Sequence, residues 1–230
     1  DDLMRLFGRI RQELQTSFQR YGICPLPGQI EELEAAVQAI LTGTPSSVTV
    51  VPLVPGGGKS TLLRAFLTVA AQVLADMSTP LSQKLSGVVV VVEKSDESHQ
   101  LEELCKRSAG RRVATVVESP NDSNLRRGLC YNETASCFAQ CLRRLCPDRE
   151  ECSLMQAAGR TMETPILILL HARYQRFAED MTPFLFWDDG EHEFRRTLLL
   201  VDELPNLFAE GAITRRTIHE ADDQLEDLQP

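Results

Sequence analysis

Short, nearly uninterrupted apolar runs, set apart by segments with helical patterning, restrict this chain more than any other feature. They are Val48–Val54 (VTVVPLV), Gly87–Glu93, Arg112–Val117, Pro165–Leu170 (PILILL) and Thr197–Asp202 (TLLLVD). A strand with one wet face alternates apolar and polar residues, whereas a continuous apolar run is buried on both faces. Strands of that kind joined through helices call for a parallel sheet covered on both sides, an α/β fold. Pro52 weakens the later part of the first run. Between the runs, Ser60–Met77, Gln100–Arg107 and Ala172–Glu179 read as helices. Ahead of them, Leu3, Leu6, Phe7, Ile10, Leu14 and Phe18 recur at intervals of three and four and form one helical stripe. Helical periodicity resumes over Gln29–Leu41 after Pro25, Pro27 and Gly28, and ends at Gly43, Thr44 and Pro45. We therefore divide the chain into an N-terminal helical segment, 1–46, and an α/β domain, 47–230.

With 230 residues, 43% of them hydrophobic and 25% charged, the chain can bury a full core without disulfide support, and wholesale disorder is excluded. No apolar run approaches the length that crosses a bilayer, so no membrane partner is expected. The start, DDLMRLFGRI, has no secretory pattern, which points to an intracellular, cytoplasmic protein. It also lacks an initiator Met, which reads as a fragment or a trimmed chain.

Gly56, Gly57, Gly58, Lys59, Ser60 and Thr61 stand between the first apolar run and the strongest helix. Glycines let the backbone curl so that successive N–H groups face an anion, and the helix that follows offers its positive end to the same anion. Lys59 can then reach the β- and γ-phosphates of ATP, and the Ser60 hydroxyl can ligate Mg²⁺. Leu53 occupies the first glycine position of the longer G-x-x-x-x-G-K-[ST] pattern, so only the tighter G-x-G-K-[ST] core is met. A glycine-rich turn with a surface lysine is the plain alternative. A second element strengthens the first: Leu198–Val201 runs into Asp202 and Glu203, the Walker B form. Asp202 would hold Mg²⁺ through water and Glu203 would orient the attacking water.

Cysteine usage is uneven. Five of the seven, Cys130, Cys137, Cys141, Cys146 and Cys152, fall within 23 residues, while Cys24 and Cys105 stand apart. With no secretion signal, that cluster favours a metal site over a disulfide framework. Four thiolates accept either Zn²⁺ or an iron–sulfur cluster, and the spacings match neither a paired C-x-x-C ribbon nor a ferredoxin run. Unligated thiols stay open as well.

Taken together, these motifs resemble the first motor domain of superfamily 2 helicases, in particular the iron–sulfur branch of the DinG and XPD type. The resemblance implies a RecA-like P-loop NTPase domain with a Cys-rich insertion at about 120–160. Gln29 resembles the Q-motif glutamine that reads adenine. Gly87–Leu101 is similar to the motif Ia strand and loop that touch single-stranded nucleic acid. Pro165–Tyr174 is similar to a strand ending in a His-containing turn before Walker B. On this mapping Cys130, Cys141, Cys146 and Cys152 would ligate a [4Fe–4S] cluster, or Zn²⁺ in the alternative, with Cys137 a substitute. Leu204-Pro205 stands where the family has Ala-His, which implies altered coupling. The resemblance further implies a second RecA-like domain, in the same or another chain, that supplies the arginine finger. Without it this chain would hydrolyse ATP weakly, and it reads as the N-terminal part of a longer protein or split assembly.

The net charge of −9 argues against non-specific nucleic-acid binding, but the distribution is uneven. Residues 105–160 carry ten basic and six acidic side chains, a local excess of +4 that leaves −13 for the rest. Arg126–Arg127 and Arg143–Arg144 flank the cysteines, so the insertion could guide single-stranded or forked DNA, or the arginines could simply solubilise it. His99 and His171 could touch a strand but also read as ordinary polar residues. Trp187 reads as packing or as an exposed contact for the second domain. The leading expectation is an ATP-hydrolysing, helicase-like motor domain. The alternatives are a non-helicase P-loop ATPase whose zinc-bound insertion mediates protein contacts, and a degenerate module that senses ATP without turnover.

Overall fold

The computed structural model describes residues 2–43, 50, 56–117, 159–177 and 181–202. Helices α1 (Asp2–Arg20) and α2 (Gln29–Thr42) precede α3 (Lys59–Leu74) and the short α4 (Pro80–Leu85). Strand β1 (Val88–Val92), helix α5 (Ser95–Ala109) and strand β2 (Ala114–Val116) follow. Beyond a helical turn at 159–163 come β3 (Ile166–Leu170), α6 (His171–Phe177), α7 (Thr182–Leu185), the strands β4 (Phe186–Asp188) and β5 (Glu193–Arg195), and β6 (Leu198–Val201).

As the apolar runs required, the chain is α/β with a parallel sheet. Four strands lie in the order β2-β3-β1-β6. Val88 pairs with both Ile166 and Leu198, and Val90 with Ile168 and Leu200, so β1, like β3, has a partner on each side. All five valines of β1 are buried, because helices and loops cover both faces of this central strand. One face carries Val88, Val90, Val92, Ile166, Ile168, Ala114 and Val116 into the main core, which α1, α2, α3, α4 and α5 complete. The opposite face carries Val89, Val91, Leu167 and Leu169 against Phe184, with Tyr174 and Met181 at its margin. Among the described residues the first layer is thick and the second thin. Leu199 and Val201 on β6 are accordingly 42% and 38% exposed.

Local sequence accounts for most of the helix boundaries. The stripe on α1 buries Leu6, Ile10, Leu14 and Phe18, while Leu3 and Phe7 sit half-buried at its edge. The side chains of α1 and α2 belong to the same core as α3 and the sheet, so residues 2–43 are built into the α/β domain rather than standing beside it. In α4, Thr79 accepts a hydrogen bond from the Ser82 amide and Pro80 occupies the first turn, a start signal the sequence reading passed over. Helix α5 begins at Ser95, five residues before the expected Gln100, because Asp96 and Glu97 favour its positive end and Ser98 turns inward to the Ser95 carbonyl. Gly110, left-handed at φ 70°, closes it. Val50, the one described residue of the expected 48–54 strand, lies in no strand and is 70% exposed. The remainder of that run lies outside the described residues.

The end of the sheet where β1 begins is tied by a compact lock. Gly87, at φ 149°, leaves no room for a side chain: an added Cβ would sit 2.7 Å from the Pro165 carbonyl oxygen and 2.9 Å from Arg196 Cγ. Trp187 donates its indole N–H to the Ser86 carbonyl at 2.7 Å and stacks on Phe194 with ring centroids 4.8 Å apart. At 3% exposed, Trp187 is a packing residue, and the reading of it as an exposed contact is set aside. The β4–β5 antiparallel pair that carries it was not foreseen from sequence. Arg196 is buried against four carbonyls: Phe184 and Phe186 from Nη1 at 2.8 and 2.7 Å, and Thr161 and Thr164 from Nη2 at 2.5 and 2.6 Å. Burial brings its guanidinium down to about 9, so it still carries its charge at neutral pH.

Candidate functional site

The direction of each element decides which candidate residues can meet. Helix α5 starts two residues beyond the end of β1, so its N-terminus sits at the C-terminal end of the sheet. Arg64, early in α3, donates to Gln100, early in α5, at 3.0 Å, so the two helices run side by side in the same sense. The N-terminus of α3, with Lys59 and Ser60, therefore faces the same end of the sheet as Asp202, which follows the last residue of β6. That is the end where open parallel sheets gather their ligand-binding residues.

Helix α1 runs the opposite way to α3. Arg9 bonds Gln72 near the far end of α3 at 3.0 Å, and Phe18 lies at the near end, under Gly58. Gly58 caps α3 with φ 90°, and Gly56 is also left-handed at φ 77°, so the glycines are used for conformations that other residues rarely adopt. An added Cβ on Gly58 would come 3.2 Å from Leu33 Cδ1 and 3.3 Å from Gln29 Nε2. Gln29 is thus at the glycine loop, although 30 residues separate it from Lys59. Its Oε1 accepts the Leu26 amide at 2.8 Å, which turns Nε2 toward Gly58. Phe18 and Leu33 form the apolar floor there. Sequence reasoning missed both, since each reads as one more core position on an amphipathic helix.

The first turn of α3 contains no acidic side chain, and among the described residues no side chain caps its amides. Gly57 is buried, Gly58, Lys59 and Thr61 are half-buried, and Ser60 is exposed. At the end of β6, the Asp202 amide donates to the Val91 carbonyl at 2.9 Å. His171 Nε2 lies 2.9 Å from the Asp202 carbonyl oxygen. The sequence reads His171 either as a nucleic-acid strand contact or as an ordinary polar residue in a turn that ends a strand; its bond to the Asp202 main chain is not visible there.

Glu203 and the cysteines Cys130, Cys137, Cys141, Cys146 and Cys152 lie outside the described residues, as do Arg126–Arg127 and Arg143–Arg144. Among the described residues no three His, Cys, Asp or Glu side chains converge as a metal site. Cys24 is exposed, and Cys105 is buried, which with nearby Glu102 pushes its thiol up to about 12 and leaves it unreactive at neutral pH. His99 is half-exposed on α5, 3.8 Å from Glu102. It belongs to an open groove between α3 and α5 lined by Arg64, Asp96, His99, Gln100, Glu103 and Arg107, where the two acids oppose the two arginines. Among the described residues no helix is long and apolar enough to cross a membrane. Compared with protein-family models, with curated proteins and with solved structures, the chain matches none.

Proposed function

We propose that this chain is the ATP-binding part of a helicase-like motor, a RecA-like domain that couples nucleotide turnover to single-stranded or forked DNA. One observation carries the reading: Gln29, Gly58 and Lys59 gather at the N-terminus of α3, at the end of the sheet where Asp202 leaves β6.

Topology supports it. The connection from β1 through α5 to β2 passes over the main-core face and moves away from β6. The connection from β3 through α6 and α7 to β6 passes over the opposite face and moves the other way, so the two have the same hand. Crossovers between parallel strands are right-handed in nearly all proteins. Helix α3, which begins directly after the glycine loop, lies on the same face as α5.

In this reading the uncapped amides of α3 and the left-handed Gly58 turn receive the phosphates, and Lys59 neutralises the β- and γ-phosphate charge. Gln29 presents its amide to the base. The Ser60 hydroxyl and the Asp202 carboxylate are hard oxygen donors, the set that suits Mg²⁺ shared with a nucleotide. Bound there, Mg²⁺ would neutralise phosphate charge. Glu203 would orient water, and efficient turnover would need the second RecA-like domain. A cluster on Cys130, Cys141, Cys146 and Cys152, with DNA guided by the adjoining arginines, completes the proposal.

Equilibrium titration with fluorescent ATP and GTP analogues tests the base contact. Wild type is expected to prefer ATP. Gln29→Ala should lose about tenfold in ATP affinity, the worth of one good hydrogen-bonding amide, with GTP binding unchanged. Equal ATP affinity in the variant would remove Gln29 from the site.

A further inference from the structure

Both main-chain polar groups of Asp202 have partners: the amide is held by Val91, and the carbonyl meets His171. The second contact spans an unusual distance. His171 follows the last residue of β3, Asp202 follows the last residue of β6, and β1 lies between those strands. Adjacent strands are about 4.8 Å apart, so the two chain paths are separated by roughly 10 Å, and the imidazole crosses the end of β1 to close the gap. A carbonyl oxygen only accepts, so Nε2 carries the proton, and the bond exists whether or not the ring is charged.

We infer that His171 is a positioning residue: by gripping the Asp202 carbonyl across β1, it fixes the peptide planes from which the Asp202 carboxylate is presented to a nucleotide-bound divalent cation. This rests on the ATP-site reading above. A carboxylate moves with the backbone that carries it. Two tethers on one residue remove that freedom before the cation arrives, and such outer supports commonly govern metal affinity. His171 leaves ATP recognition itself to α3 and Gln29. Its removal should weaken metal binding and spare metal-free nucleotide binding.

Mn²⁺ titration of the full chain with saturating ATP, followed by water-proton relaxation, reads the cation directly, and ATP affinity in EDTA reads the nucleotide. His171→Ala should raise the Mn²⁺ half-saturation about tenfold or more with ATP affinity in EDTA unchanged. His171→Gln, whose amide N–H can take the place of Nε2–H, should stay within about threefold of wild type, while the shorter His171→Asn should behave like Ala. The Asn and Gln pair decides the matter if the Ala variant does not fold. Wild-type Mn²⁺ binding in His171→Asn alongside loss in Asp202→Asn would overturn the positioning role and leave the site standing. Equal loss in the Gln and Asn variants would also overturn it. Unaltered Mn²⁺ binding in Asp202→Asn would instead remove the site itself, and the role of His171 with it.

Discussion

Replacing Arg196 with Met is expected to remove about 3–5 kcal/mol of stability, the scale seen when a buried charged group and its hydrogen-bond partners are separated. Arg196 is 2% exposed, and its guanidinium holds the carbonyls of Thr161, Thr164, Phe184 and Phe186, which belong to two separate stretches of chain. Met fills much of the volume but donates nothing, so those carbonyls lose a partner in a place water reaches poorly. For a chain of this size the loss corresponds to a fall of roughly 6–20 °C in melting temperature. Arg196→Lys keeps the charge but has no planar fork, and one ammonium cannot serve two pairs of carbonyls, so only part of the loss should be recovered. Urea unfolding followed by Trp187 fluorescence reads the effect at the lock itself. A Met variant within about 0.5 kcal/mol of wild type would mean that the buried arginine is dispensable.

Lys59→Ala should lower ATP affinity by roughly 100-fold, close to 2.7 kcal/mol, because a charge-assisted contact to two phosphates is lost. The change should not disturb the fold, since Lys59 is half-buried at a helix start and alanine is a good helix former. AMP has no β- or γ-phosphate for this side chain to reach, so AMP binding should be unchanged. Isothermal titration with ATP, ADP and AMP separates a phosphate-specific loss from a general one. Equal weakening for all three nucleotides would place Lys59 outside the phosphate site.

Much of this architecture was legible in the residues. The valines of β1 and the PILILL run of β3 are apolar without alternation and are buried on both faces of a parallel sheet, whereas the LLLV run of β6 reads the same way but leaves Leu199 and Val201 exposed. The α1 stripe is equally direct, because period 3.6 places Leu6, Ile10, Leu14 and Phe18 on one side. Other features depend on distant partners and leave little local trace. Arg195 and Arg196 are neighbours of the same type, yet one is exposed and the other is a buried keystone. Three-residue strands such as β4 and β5 are too short for a period to declare itself, and the Asp188–Gly190 turn between them was the main sign of a hairpin. At the site, the glycine loop and the Asp202 strand end announced themselves by motif. That Gln29 turns its amide to Gly58, and that His171 reaches across β1, follow from how helices and strands are stacked.

In the proposed site one nucleotide-bound metal ion has the start of α3 on one side and the end of β6 on the other. Affinity cleavage can read that arrangement: Fe²⁺ replaces Mg²⁺ beside bound ATP, and ascorbate with peroxide generates radicals that cut the backbone within a few ångströms of the metal. Mass spectrometry of the fragments should find ATP-dependent cuts both at Gly58–Thr61 and around Asp202, each suppressed by excess Mg²⁺. Cleavage confined to one of these stretches, or independent of ATP, would contradict the shared site.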